Sequence, residues 1–176
     1  MREVLRFCAS VLAGLLALQV VLFGLLVAAQ AVPNGPVVAR LAQAVDSGEY
    51  GAPYAPDGFG GRADRFTECV VLGYGVSSAD DPRSVWVRAA GGVRLSSCEG
   101  GVAEIRSLAA GGSLVPDAGY FRYWSGYSVL TRPVLAAWGV TGVRLVTAAL
   151  LAVAAAAAFM QFLTADLFRD FPTLRL

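Results

Sequence analysis

The chain contains neither histidine nor lysine, and all 14 of its basic residues are arginine. Without histidine there is no His-based catalytic triad, no imidazole proton shuttle and no histidine metal ligand on this chain. Charge of either sign is scarce: charged residues make up 15% of the 176, against about a quarter in ordinary soluble domains. The signs nearly cancel, leaving +1, so neither nucleic-acid binding nor an acidic tail is indicated. Disorder is excluded too, because its signature is low hydrophobicity with high charge, and both are reversed here. What is abundant is apolar: 56% of the residues, with a mean hydropathy of +0.60. That balance describes a small membrane protein.

Two runs carry the excess. No charge occurs from Phe7 to Ala39, and Phe7 to Ala29 is almost unbroken Leu, Val and Ala with Gln19 as its one strongly polar residue. Those 23 residues exceed the roughly 20 that cross a bilayer core of about 30 Å. A second charge-free run, Leu145 to Ala165, includes five consecutive alanines at Ala154 to Ala158. Alanine faces permit close helix approach, so this span is expected to pack against other transmembrane helices. The first run has a rival reading as a cleavable signal peptide, with Arg2 and Arg6 as its positive start and Ala29-Gln30-Ala31 as a cleavage pattern. Its apolar region is longer than the typical 7–15 or so, which favours an uncleaved signal anchor. Arg2 and Arg6 then hold the amino terminus in the cytoplasm, residues 34–131 lie outside it, and the tail 166–176 returns inside. The expected location is the plasma membrane.

The segment between the spans, Asn34 to Thr131, has 98 residues, short for a self-sufficient core. Val37, Val38, Leu41 and Val45 share one helical face, predicting an amphipathic helix at 36–47 that lies in the membrane interface. Tyr50 to Arg62 reads as irregular loop, rich in Gly, Pro and Tyr. Thr67 to Tyr74 is an apolar run too short to assign to helix or strand. Asp81-Pro82 reads as a helix start and Gly91 as its stop, with Val85, Trp86 and Ala89 facing inward; the competing reading is a hairpin about Gly91-Gly92. Val102 to Ala110 is a further short helix. The fold expected is an α-helical integral membrane protein, two transmembrane helices flanking a small, mainly α, disulfide-stapled extracytoplasmic domain. The staple is Cys69 with Cys98, the only cysteines outside a span, in a compartment that oxidises such pairs. With the opposite topology, two free thiols become the better reading.

The most distinctive stretch is Tyr120-Phe121-Arg122-Tyr123-Trp124-Ser125-Gly126-Tyr127, followed by Thr131-Arg132-Pro133. Aromatics just ahead of a span form an interfacial belt. A functional reading has Arg122 and Arg132 holding a phosphate while Trp124 and its neighbours hold a lipid or sugar. Gly58-x-Gly60-Gly61 lacks the strand and the Lys-Ser/Thr of a phosphate-binding loop.

R-Y-W-S-G-Y with its downstream T-R-P resembles the R-Y-W-H-G-Y and R-P stretch of multi-pass envelope membrane proteins of high-GC Gram-positive bacteria, a group without an assigned activity. Asp64-Arg65-Phe66-Thr67-Glu68-Cys69 is similar to a polar block in the same group. Ser125 stands where that pattern has histidine, which works against any catalytic carry-over. The resemblance implies further membrane helices, making this chain a fragment or a truncated member. More distantly, the span, loop, span order is similar to the start of GT-C lipid-linked glycosyltransferases, where an acidic residue of the first outer loop acts on the acceptor or a metal. That likeness implies Asp46, Glu49, Asp64 and Glu68 as candidates for a base or a divalent-metal ligand. Residues 34–131 carry ten acidic residues and eight arginines, a balance that ordinary solvated charges explain. The preferred expectation is a membrane protein of the cell envelope with no catalytic site and no cofactor, its partners being membrane lipids and other transmembrane helices; the alternative is the amino-terminal part of a polyprenyl-phosphate-dependent glycosyltransferase.

Overall fold

The computed structural model describes residues 2–56, 58–114 and 125–170, the last six of them by backbone alone. Two long helices bracket a mainly helical domain. Helix α1 (Arg2–Ala31) is 30 residues long, about 45 Å at 1.5 Å per residue. Helix α6 (Ser128–Asp170) runs for 43 residues with a break at Gly139. Both are long and apolar enough to cross a membrane. Between them lie α2 (Asn34–Asp46), the antiparallel hairpin β1 (Tyr54–Pro56) and β2 (Arg62–Asp64), α3 (Phe66–Gly73), α4 (Val85–Gly91) and α5 (Glu99–Ala109).

Helix α2 is the centre of the core. Val37 and Leu41 are fully buried together with Val76, Leu95, Ile105 and Leu135, and α2 packs on α5 and on the first part of α6. The apolar stripe expected to lie on a membrane is thus closed by protein. Helices with matching stripes were available inside the chain, and a chain this short needs each of them for its core.

Cys69 and Cys98 form a disulfide, with Cα atoms 5.1 Å apart. It fastens α3 to the residue preceding α5. Gly75 N–H donates to Val93 O at 2.7 Å and Leu95 N–H to Gly73 O at 3.0 Å, a short ladder that closes the same loop from within. The apolar run containing Cys69 is helical. The expected loop at 50–62 contains β1 and is paired to β2, Tyr54 opposite Asp64.

Helix α4 forms as expected, but three residues later than Asp81-Pro82 implied. Ser84 caps it, its Oγ accepting from Val87 N–H at 3.3 Å, and Gly92 ends it in the left-handed region. Asp81 turns its carboxylate onto Arg83 instead, Oδ2 lying 2.6 Å from Nη2. Trp86 does not face inward: it is exposed and leans on Phe23 of α1, ring centroids 5.9 Å apart.

The break in α6 has a local cause. Gly139 takes φ 72°, ψ −168°, a conformation that side chains disfavour. A break frees carbonyls in the preceding turn. Arg40 of α2 serves one of them, donating from Nη2 to Ala137 O at 3.0 Å. Beyond Arg144, α6 leaves the core and its apolar side chains become exposed.

Candidate functional site

The predicted site residues separate into three groups. Arg122 and Trp124 lie outside the described residues. Arg132 is inside the domain, 3% exposed. Its Nε donates to Ala29 O at 2.9 Å, Nη1 to Gly75 O at 2.7 Å, and Nη2 to Val32 O and Asn34 Oδ1, each at 2.9 Å. These acceptors are the end of α1, the start of α2 and the loop after α3. A guanidinium committed to three carbonyls and an amide has no donors turned outward for a lipid phosphate, so the phosphate-binding role expected for Arg132 is replaced by a structural one. Burial first, then the nearby Arg88 charge, lower its pKa to about 10, which leaves it protonated at neutral pH. Gly75, at φ +72°, is held so close that a Cβ would meet Gln30 and Arg132.

The carboxylates form the second group. Glu49 and Glu68 converge on Arg144, at the point where α6 leaves the domain. Arg144 Nε lies 2.7 Å from Glu68 Oε1, Nη2 donates to Glu68 Oε2 at 3.1 Å, and Nη1 is 3.9 Å from Glu49 Oε2. Thr141 Oγ1 donates to Glu49 at 3.3 Å. A cleft of about 210 Å³ opens beside Glu49, lined also by Arg40, Trp138 and Thr141. With both Glu68 oxygens engaged by one guanidinium, neither is poised to abstract a proton. Among the described residues no three Asp, Glu or Cys side chains cluster as a metal site would require.

Asp64 and Asp46 are placed differently. Asp64 Oδ1 accepts from Phe66 N–H at 2.8 Å, holding the first turn of α3. Asp46 is exposed at the end of α2. The structure therefore brings Glu49 and Glu68 together and gives Asp46 and Asp64 no share in that cluster. Other acids are equally committed: Glu104 accepts from Ser96 N–H and Oγ, both at 2.7 Å.

Three polar residues around Arg132 were missed from the sequence. Asn34-Gly35-Pro36 reads as the break after one helix and the start of the next, yet Asn34 Nδ2 also donates to Ser77 Oγ at 2.8 Å. Gln30 was read as part of a cleavage pattern and is 2% exposed. Arg88 donates from Nη2 to Gln30 O at 3.2 Å. The one available signal was the Asn-Gly-Pro after an apolar run, which marks a chain turn without saying what the turn binds. Comparison with family models, with curated proteins and with solved structures finds no match for this chain.

Proposed function

We propose that the protein is a two-span membrane protein of the bacterial cell envelope that performs no catalysis itself and uses its outer domain to hold two spans for packing against partner helices. One observation carries the reading: the apolar surfaces of α1 and of α6 beyond Arg144 are uncovered along almost their whole length, while Arg132, Arg144, Glu68 and Asp64 are engaged within the domain. Uncovered apolar helices of this length call for lipid or for other helices. The alanine face at Ala154 to Ala158 suits close approach of such a helix.

Orientation follows from charge. Arg2 and Arg6 keep the amino terminus cytoplasmic, residues 34–131 stand outside, and the Cys69–Cys98 bond suits an oxidising compartment. The test is a photo-cross-linking residue at Ala156 in intact cells, with sidedness reporters fused after Gly60 and after Leu176. The expected result is a discrete protein adduct at Ala156, with an external signal at Gly60 and an internal one at Leu176. Adducts with lipid alone would remove the partner helix, and a cytoplasmic signal at Gly60 would reverse the topology.

A further inference from the structure

We infer that the amino-terminal end of α2, together with Ser78 and Arg88, forms a binding site for a phosphate ester, occupied in the membrane by the headgroup of an anionic glycerophospholipid. The site is a cleft of about 200 Å³ whose walls include Gln30, Asn34, Gly35, Ser78 and Arg88. At about 30 Å³ per water, it has room for roughly seven waters, enough for a small polar headgroup.

Four observations converge on an anion. First, α2 starts without a side-chain cap. Pro33 and Pro36 have no N–H, so helix geometry leaves the amides of Asn34 and Gly35 as the unpaired donors of its first turn. Asn34 cannot cap them, because its amide is turned to Ser77 and Arg132. Second, Ser78 Oγ is buried without a hydrogen-bond partner among the described residues, as is Arg88 Nε; Ser78 is 5% exposed. Third, Arg88 and Arg132 donate to the consecutive carbonyls Gln30 O and Ala29 O, so two guanidinium groups stand close together. Asp81 is committed to Arg83, and Asp80 lines the wider cleft of about 610 Å³ that shares Asn34, Gly35, Ser78 and Ala79 with this one. Two neighbouring guanidinium groups beside a helix amino terminus are the electrostatic setting that holds phosphate. Fourth, Gln30 Oε1 is a buried acceptor without a donor, which a hydroxyl on the headgroup would supply.

The choice of a lipid over a free phosphate ester rests on the two-span reading. Gln30 and Ala31 follow directly on the apolar run 7–29 and line this cleft, which puts it at headgroup depth. Phe23 of that run meets Trp86 of α4, the helix that carries Arg88, and aromatic side chains mark the membrane boundary. The anion site itself does not depend on that reading.

The decisive variant is Gly35→Asp. A Cβ at Gly35 meets nothing within 4 Å, so the substitution displaces no packing, and a carboxylate in the first turn suits the helix dipole. It should leave thermal stability in lipid-free detergent unchanged or raised while repelling an anion from the cleft. The full chain is reconstituted in nanodiscs of phosphatidylglycerol and phosphatidylcholine, and co-purifying lipid is counted by native mass spectrometry. The expected result is selective retention of phosphatidylglycerol by the wild type, reduced about tenfold or more in Gly35→Asp and in Ser78→Asp. Millimolar glycerol 3-phosphate is then added to protein in neutral detergent. No binding there assigns the site to the lipid headgroup. Binding that is lost in Gly35→Asp keeps the phosphate site and overturns the lipid assignment. Equal retention of both lipids, or retention unchanged in a folded Gly35→Asp, overturns the site.

Discussion

Arg132 does what no other residue of this length and geometry would do. Five N–H groups in a planar fork reach the end of α1, the turn into α2 and the Gly75 loop at once. A lysine keeps the charge but offers a single ammonium on a flexible stem. Arg132→Lys should therefore leave two or more buried carbonyls unsatisfied and lower stability by roughly 2–4 kcal/mol, read as a drop in thermal midpoint in detergent. Loss of less than about 1 kcal/mol would mean that water fills the gap. Tyr50 makes the opposite case. Its ring is buried and its hydroxyl has no partner among the described residues. Burial first, and Glu104 second, raise its pKa to about 12. Tyr50→Phe removes a desolvated hydroxyl that makes no hydrogen bond, so stability should hold or rise by up to about 1 kcal/mol, measured in the same way.

Among the elements, the approach to α4 has a pH signature. Hydrogen bonds from Arg83 hold the Asp81 carboxyl well below the usual carboxylate range. A depressed folded-state pKa means that stability is full above the unfolded value, near 4, and is lost as pH falls below it. Thermal midpoints should decline below about pH 4, and Asp81→Asn should flatten that decline. The existence of α2, α4 and α5 was legible because each carries an apolar stripe or a glycine stop. Their partners were not. Val37 and Leu41 read the same whether they meet lipid or Ile105 and Leu135, because periodicity reports a buried face without reporting what buries it. The start of α4 was misplaced because aspartate-proline serves a turn as well as a cap. The hairpin of β1 and β2 was illegible, since three-residue strands amid Gly and Pro leave no alternation to read.

At the scale of the whole molecule, the sequence contained the two long apolar helices and the cysteine pair, because length and count alone carry them. The roles of Arg132, Gln30 and Asn34 depend on contacts across about a hundred residues, which spacing cannot encode. The disulfide offers a check on assembly and sidedness together. In membranes prepared with a thiol block, Cys69 and Cys98 should label only after reduction, and immediate labelling of both would exclude the bond in the native membrane. The loop it closes, 29 residues in separation, corresponds to about 3–4 kcal/mol of chain entropy.

The Arg132 bonds also set a clock. Ala29 and Arg132 are 103 residues apart, and a ribosome adds about 5–20 residues each second. The first helix therefore waits roughly 5–20 s for the guanidinium that closes its last carbonyls, whereas Cys98 follows Cys69 within about 1.5–6 s. The covalent tie can form while the second helix is still being made. The join between the helices comes later than that tie, and until it forms the first helix is free to rotate or to take another neighbour.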